Sequence, residues 1–153
     1  MSVTPKDQKV HLKMAVPGPG SRALREREDA HIAPGLQGYA VMAGIAVDHA
    51  EGSAITDVDG NTFLDFIGGI GVNALGHTHP AVTAAIQAQV ARASVGSLTS
   101  AARVDLVEHL AARAPAPGVH RVQLYSSGAE AVESALRLAK SHTGKTEDRK
   151  SVV

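Results

Sequence analysis

The spacing of hydrophobic positions changes character along the chain, and each change marks an element. From Ile45 the apolar residues follow strand spacing. Ala54–Val58 and Thr62–Ile67 flank Asp59-Gly60-Asn61, a tight-turn signal, and together they predict a hairpin. Beyond it the period lengthens. Val82, Ile86 and Val90 fall on one face of a helix opened by Pro80, a residue suited to the first helical position. Residues 94–99 read as a polar loop, after which Val104, Val107, Leu110 and Ala111 predict a second helix from Ser100, ended by Pro115 and Pro117. A short apolar strand is predicted over Val119–Leu124, and a third helix then buries Val132, Ala135, Leu136 and Ala139. Ahead of the hairpin, residues 1–20 form an arm in which Pro17-Gly18-Pro19-Gly20 bars regular structure. Ser21 caps a short charged helix, Arg22–Ala30, stopped by Pro34-Gly35.

The order hairpin, helix, helix, strand, helix is the entry into an α/β domain. A single strong buried strand after residue 70 cannot build a sheet by itself, so the sheet is incomplete and the sequence reads as a piece of something larger.

Composition narrows the function classes. The 15 basic residues balance 15 acidic ones, and the aromatics are 2 Phe, 2 Tyr and no Trp, which leaves neither the basic patch nor the stacking rings of a nucleic-acid partner. With no cysteine, disulfides, thiolate metal sites and cysteine nucleophiles are excluded. Met1–Lys13 is polar, without the apolar stretch of a signal peptide, and no apolar run approaches a membrane span. The expectation is a cytoplasmic protein with no membrane and no nucleic-acid partner.

Candidate chemistry concentrates between Val122 and Glu133, a strand, a small-residue turn and a helix start. Such a turn points unpaired backbone N–H groups at one spot with the positive end of the helix dipole behind them, a cradle for a phosphate. Ser126 and Ser127 add hydroxyls, and Gly128 lets an anion approach the backbone closely. Gly68-Gly69-Ile70-Gly71 suggests close backbone packing or a cofactor nearby. His77 and His79 are spaced like some metal ligands but lack a third ligand nearby, and turn packing before Pro80 is the preferred reading, so no metal site is assigned. Glu108-His109 and the charged stretch Arg22–Asp29 read as solvated surface.

Several of these stretches occur in one order and spacing: Pro17-Gly18-Pro19-Gly20-Ser21, Asp57–Phe66, Gly68–Asn73, Gly76-His77-Thr78-His79-Pro80 and Ser127-Gly128-Ala129-Glu130-Ala131. In this the chain resembles the class III (omega-amino acid) aminotransferases, pyridoxal-phosphate enzymes of fold type I, over residues 17–147. The resemblance implies the N-terminal part of such an enzyme. Residues 1–46 would be an N-terminal arm and short helix, 47–75 the small-domain hairpin and Gly-rich segment, and 76–147 the start of the large cofactor-binding domain. It also implies that Ser127, Gly128 and Ala129 hold the phosphate of pyridoxal phosphate, mainly through the N–H groups of Gly128 and Ala129. Many members have Thr where this chain has Ala129, so a hydroxyl contact is lost. A carboxylate repels phosphate, so Glu130 is assigned to organising its neighbours. The family's Schiff-base lysine, the aspartate on the pyridine nitrogen and the aromatic ring over the cofactor have no counterpart; Lys140 and Lys145 match no such motif. No catalytic residue is therefore assigned, and the fragment is expected to be inactive.

The implied parent moves an amino group between an amino acid or amine donor and a 2-oxo acid acceptor, as a homodimer. Two other functions stay open: a stand-alone phosphate- or nucleotide-binding module, and a non-catalytic partner of a full-length homologue. Residues 148–153, Asp-Arg-Lys-Ser-Val-Val, depart from the family. They can be written GAT CGG AAG AGC GTC GTG, with TAG next in a sequencing adapter, and are expected to be a non-native tail.

Overall fold

A computed structural model describes residues 10–35, 38–94, 96–115, 118 and 120–146. They fall into two compact units divided after Ser94. The first carries α1 (Pro19–Asp29), α2 (Gly38–Ala43), β1 (Val47–Glu51), β2 (Ala54–Asp57), β3 (Thr62–Leu64), α3 (Gly68–Gly71) and α4 (Pro80–Val90); the second carries α5 (Ala101–Ala112) and α6 (Gly128–Thr143). The three strands form an antiparallel sheet in the order β1-β2-β3, with Ile55 opposite Ala50 on one side and Phe63 on the other. The predicted hairpin is β2–β3. Its second strand is shorter than expected, Thr62–Leu64, and the Asp65 N–H adds one more bond in the same register, to the Ser53 carbonyl at 2.8 Å.

The tip of this hairpin organises the first unit. Asp57 Oδ1 accepts the N–H groups of Asp59 and Asn61 at 3.0 and 2.7 Å, and its Oδ2 accepts Asn61 Nδ2 at 2.9 Å. Asn61 Oδ1 in turn accepts the N–H groups of Lys13 and Met14 at 2.8 and 2.9 Å, while His11 and Thr62 exchange both backbone bonds. The arm is thereby fastened to the hairpin.

Asp59 reaches the other way. Its two oxygens accept the N–H groups of Gly20 and Ser21 at 2.7 and 2.8 Å, two of the donors a helix start leaves unpaired. Two local expectations change as a result. Pro17-Gly18-Pro19-Gly20 does not bar structure but begins it, with Gly18 at the N-cap and Pro19 in the first turn. Ser21 is not the cap: it lies inside α1, buried, and its Oγ accepts the Ala46 N–H at 3.2 Å. A Cβ at Gly18 would stand 2.2 Å from Asp59 Cγ, so this approach requires glycine.

The buried side chains among the described residues are Ser21, Asp57, Asp59 and Asn61, all polar and all hydrogen-bonded; none is hydrophobic. The apolar helix stripes are present in sequence but not covered. Ile86 and Val90 on α4 are 62% and 60% exposed and Val132 on α6 is 61% exposed; Ala135 and Ala139 are exposed too, and Leu136 is half-buried. Among the described residues the elements that pack extensively on one another are the strand pairs β1–β2 and β2–β3, so no helix or strand described covers these faces extensively. The strand predicted over Val119–Leu124 is likewise absent among its described residues 120–124, since a strand exists only where a second one completes its ladder. Val119 and Pro117 lie outside the described residues. α4 and α5 open as expected, with Pro80 in the first turn and Ser100 Oγ accepting the Arg103 N–H at 3.3 Å. No helix among the described residues is long and apolar enough to cross a membrane.

The Asp59 bonds make the attachment of α1 pH-dependent. The Ser21 hydroxyl first, then the N–H groups of Ser21 and Gly20 and the Arg22 charge, outweigh desolvation and hold this carboxyl below its ordinary value of 3.8. A depressed folded pKa contributes stability that is complete above the unfolded carboxylate range and is lost as pH falls through the folded value. In an NMR titration, the Gly20 and Ser21 amide shifts should hold steady down to that range and then move together, with a midpoint below 3.8. A midpoint at or above it would remove Asp59 as the cap.

Candidate functional site

The second unit holds the turn singled out in the sequence. Small residues let the chain pass from an irregular run over 120–125 into α6. Ser127 is the N-cap, with extended φ −146° and ψ 160°, and its Oγ accepts the Glu130 N–H at 3.2 Å. Glu130 Oε2 reaches back to the Ser126 N–H at 2.9 Å. This is a capping box displaced by one residue: the carboxylate takes the donor before the cap instead of the cap's own. The first helical bond runs from Ala131 N–H to the Ser127 carbonyl at 3.1 Å. At the other end Gly144 closes α6 in the left-handed conformation at φ 67°, with Lys140 and His142 in the last turn.

Five consecutive backbone donors, residues 126–130, are thus divided. Those of Ser126 and Glu130 are used within the turn. Those of Ser127, Gly128 and Ala129 have no partner among the described residues. The Ser127 oxygen accepts a bond but keeps its own hydrogen to donate. A Cβ built on Gly128 meets nothing within 4 Å, so no crowding inside the chain accounts for glycine there.

This donor set fits a phosphate group. A phosphate ester offers several acceptor oxygens and a negative charge. The turn offers three N–H groups, one hydroxyl and the positive end of a 16-residue helix. The one nearby carboxylate, Glu130, is turned onto the Ser126 N–H. The Ser126 hydroxyl, expected as a donor, makes no bond in this turn; its residue contributes through its N–H.

His77 belongs to a different arrangement in the first unit. Its Nε2 lies 2.7 Å from Asp65 Oδ2, and Asp65 Oδ1 accepts the N–H groups of Ile67 and Gly68, both at 2.9 Å. The Gly68 N–H and then the His77 ring hold the Asp65 carboxyl below its ordinary value. His77 and Gly52 also exchange both backbone bonds, so His77 packs in the turn, as expected before Pro80. His79 is the N-cap residue of α4, and its Nδ1 is enclosed without a hydrogen-bond partner among the described residues. Among the described residues no group of three His, Cys, Asp or Glu could hold a metal ion. The glycines at 68 and 71 serve conformation, not close packing: both have positive φ, and a Cβ on either meets nothing within 4 Å. An apolar groove of about 650 Å³ runs along α4, lined by Leu75, His79, Val82, Ile86 and Val90.

The family model for Aminotransferase class-III matches residues 37–153, a range that includes the expected tail, which itself lies outside the described residues. The 4-aminobutyrate aminotransferase of Mycobacterium bovis is 36% identical over 141 residues, covering 90% of this chain and 31% of that protein. The glutamate-1-semialdehyde 2,1-aminomutase of Nitratidesulfovibrio vulgaris is 43% identical over 134 residues, covering 82% and 31%. A solved transaminase with PLP bound superposes with a TM-score of 0.73 at 30% identity, covering 82% of this chain and 30% of that one. The chain therefore spans about three tenths of the length of the relatives it matches.

The cap itself can be tested without any ligand. Ser127→Ala removes the acceptor of the Glu130 N–H, and loss of such a cap costs about 1 kcal/mol of helix stability. Amide exchange at Glu130 should accelerate about fivefold while exchange in the centre of α5 stays unchanged. Unaltered exchange at Glu130 would rule out the cap.

Proposed function

The chain belongs to the class III aminotransferase family, and we propose that the turn opening α6 is the pyridoxal-phosphate phosphate cup of an enzyme that moves an amino group between an amino acid or amine and a 2-oxo acid. Members of the family depend on pyridoxal phosphate, and the matched structural neighbours share fold type I. The observation that carries the reading is the set of unpartnered N–H groups at Ser127, Gly128 and Ala129 at the head of a helix dipole, with nothing crowding the Cβ position of Gly128. When bound, pyridoxal phosphate supplies a carbonyl that accepts the amino group and a ring that delocalises the developing charge. The residues of this chain supply binding. Gly128 and Ala129 would donate their N–H groups to the phosphate oxygens, and Ser127 its N–H and hydroxyl. The helix behind them offsets part of the phosphate charge, and Ala129 contributes backbone only.

The same reading divides the chain into an arm over 1–46, a small-domain segment over 47–75 and the start of the large domain over 76–147. It extends to a cytoplasmic homodimer. Phe66, Val72 and Leu75 are 92%, 81% and 65% exposed, an apolar surface of the kind that subunits cover. A second reading, amino transfer within one substrate, is favoured by the likeness to an aminomutase; both reactions would use the same cup.

Two experiments check this. Pyridoxamine phosphate, which lacks the aldehyde that would react with surface lysines, should shift the Gly128 and Ala129 amides of the isotope-labelled chain; pyridoxamine without the phosphate should not. Equal responses to both, or none to either, would sink the cup. The resemblance requires a Schiff-base lysine, and neither Lys140 nor Lys145 matches its motif. The 153-residue chain mixed with pyridoxal phosphate, an amino donor and a 2-oxo acid should therefore form no product, and steady turnover would overturn the expected inactivity.

A further inference from the structure

Glu130 stands where two effects oppose each other. It is the acidic residue in the first turn of α6, so its charge competes for the field that a phosphate would use. On charge alone the position would favour a neutral residue. Its hydrogen bonds point the other way. Its carboxylate accepts from the Ser126 N–H at 2.9 Å while its own N–H donates to Ser127 Oγ at 3.2 Å. The two bonds cross the turn in opposite directions and pin it at both ends. Between the pins lie Ser127, Gly128 and Ala129, the residues whose N–H groups remain free. A loose turn of small residues would have to lose its conformational freedom at the moment of binding; a pinned one has lost it already.

We infer that Glu130 is a positioning residue of the phosphate site: through its hydrogen bond to Ser126, and not through its charge, it holds the three free N–H groups as one donor set. The inference rests on the reading of this turn as a phosphate cup. It makes a specific demand on chemistry. The bond needs an acceptor oxygen at the end of side chain 130, and glutamine supplies one without the charge. Alanine supplies none, and methionine matches the length without the oxygen.

The test titrates the full 153-residue chain with pyridoxamine phosphate, following the amides of Ser127, Gly128 and Ala129 in the wild type, Glu130→Gln, Glu130→Ala and Glu130→Met. Circular dichroism is recorded on each protein. Glu130→Gln should bind within about twofold of wild type or more tightly, because the bond survives and the repulsion is gone. Glu130→Ala and Glu130→Met should bind about fivefold more weakly, the scale of a lost cap. Helix content should match across Glu130→Gln and Glu130→Met, so that the affinity split is not a stability effect. Should Glu130→Ala lose α6, the Gln and Met pair still decides. Equal affinity in all four proteins would overturn the inference and leave the cup standing. Equal losses in Gln and Met would overturn it by assigning the effect to charge. If the wild-type amides do not respond at all, the cup itself fails and the inference falls with it.

Discussion

Asp59 accepts the N–H groups of Gly20 and Ser21, and that pair of bonds ties the start of α1 to the hairpin tip. Behind it stands a general constraint: every helix begins with backbone donors that no residue of the helix can satisfy. In the first unit three of the side chains that answer such demands are buried. Asp57 closes the hairpin turn, Asn61 takes the arm and Asp59 takes the helix. Without a buried hydrophobic side chain among the described residues, these charge-assisted bonds give the unit its defined geometry.

The second unit answers the same constraint incompletely. α6 receives one oxygen from its own cap, and Glu130 spends its carboxylate on the preceding turn. Three donors are left over where α1 has two accepted by a distant carboxylate. The difference lies in whether an acidic residue elsewhere in the chain reaches the helix start. One arrangement consumes the donors for architecture; the other leaves them without a partner among the described residues.

Features encoded by neighbouring residues were legible in the sequence. Asp59-Gly60-Asn61 announced its turn, Pro80 and Ser100 announced helix starts, and Ser127-Gly128-Ala129 announced exposed donors at the head of α6. Features requiring a second segment were not. The reach of Asp59 to Gly20 spans 39 positions and that of Asp65 to His77 spans 12, and no local pattern encodes either. The stripes on α4 and α6 were read correctly as apolar, but the one on α6 wrongly as buried, since periodicity names a face and not what covers it. The run at 120–124 failed as a strand for the same reason. At the candidate site the backbone donors were legible, but the loss of one of them was not: the Ser126 N–H is spent on Glu130, a bond that only the folded turn reveals.

The contact between Gly18 and Asp59 also constrains how this sequence can change. With 2.2 Å between the place of a Cβ at 18 and the Asp59 carboxyl carbon, the two positions do not vary independently. A side chain at 18 is compatible only with a smaller residue at 59, so the carboxylate has to be lost before the glycine can be. The reverse order passes through a clash. Once Asp59 is gone, Gly20 and Ser21 need another acceptor, and the easiest replacement is a local cap of the kind that glycine at 18 cannot provide. The pair therefore separates two self-consistent ways of starting the same helix, and the path between them runs through an intermediate that has neither.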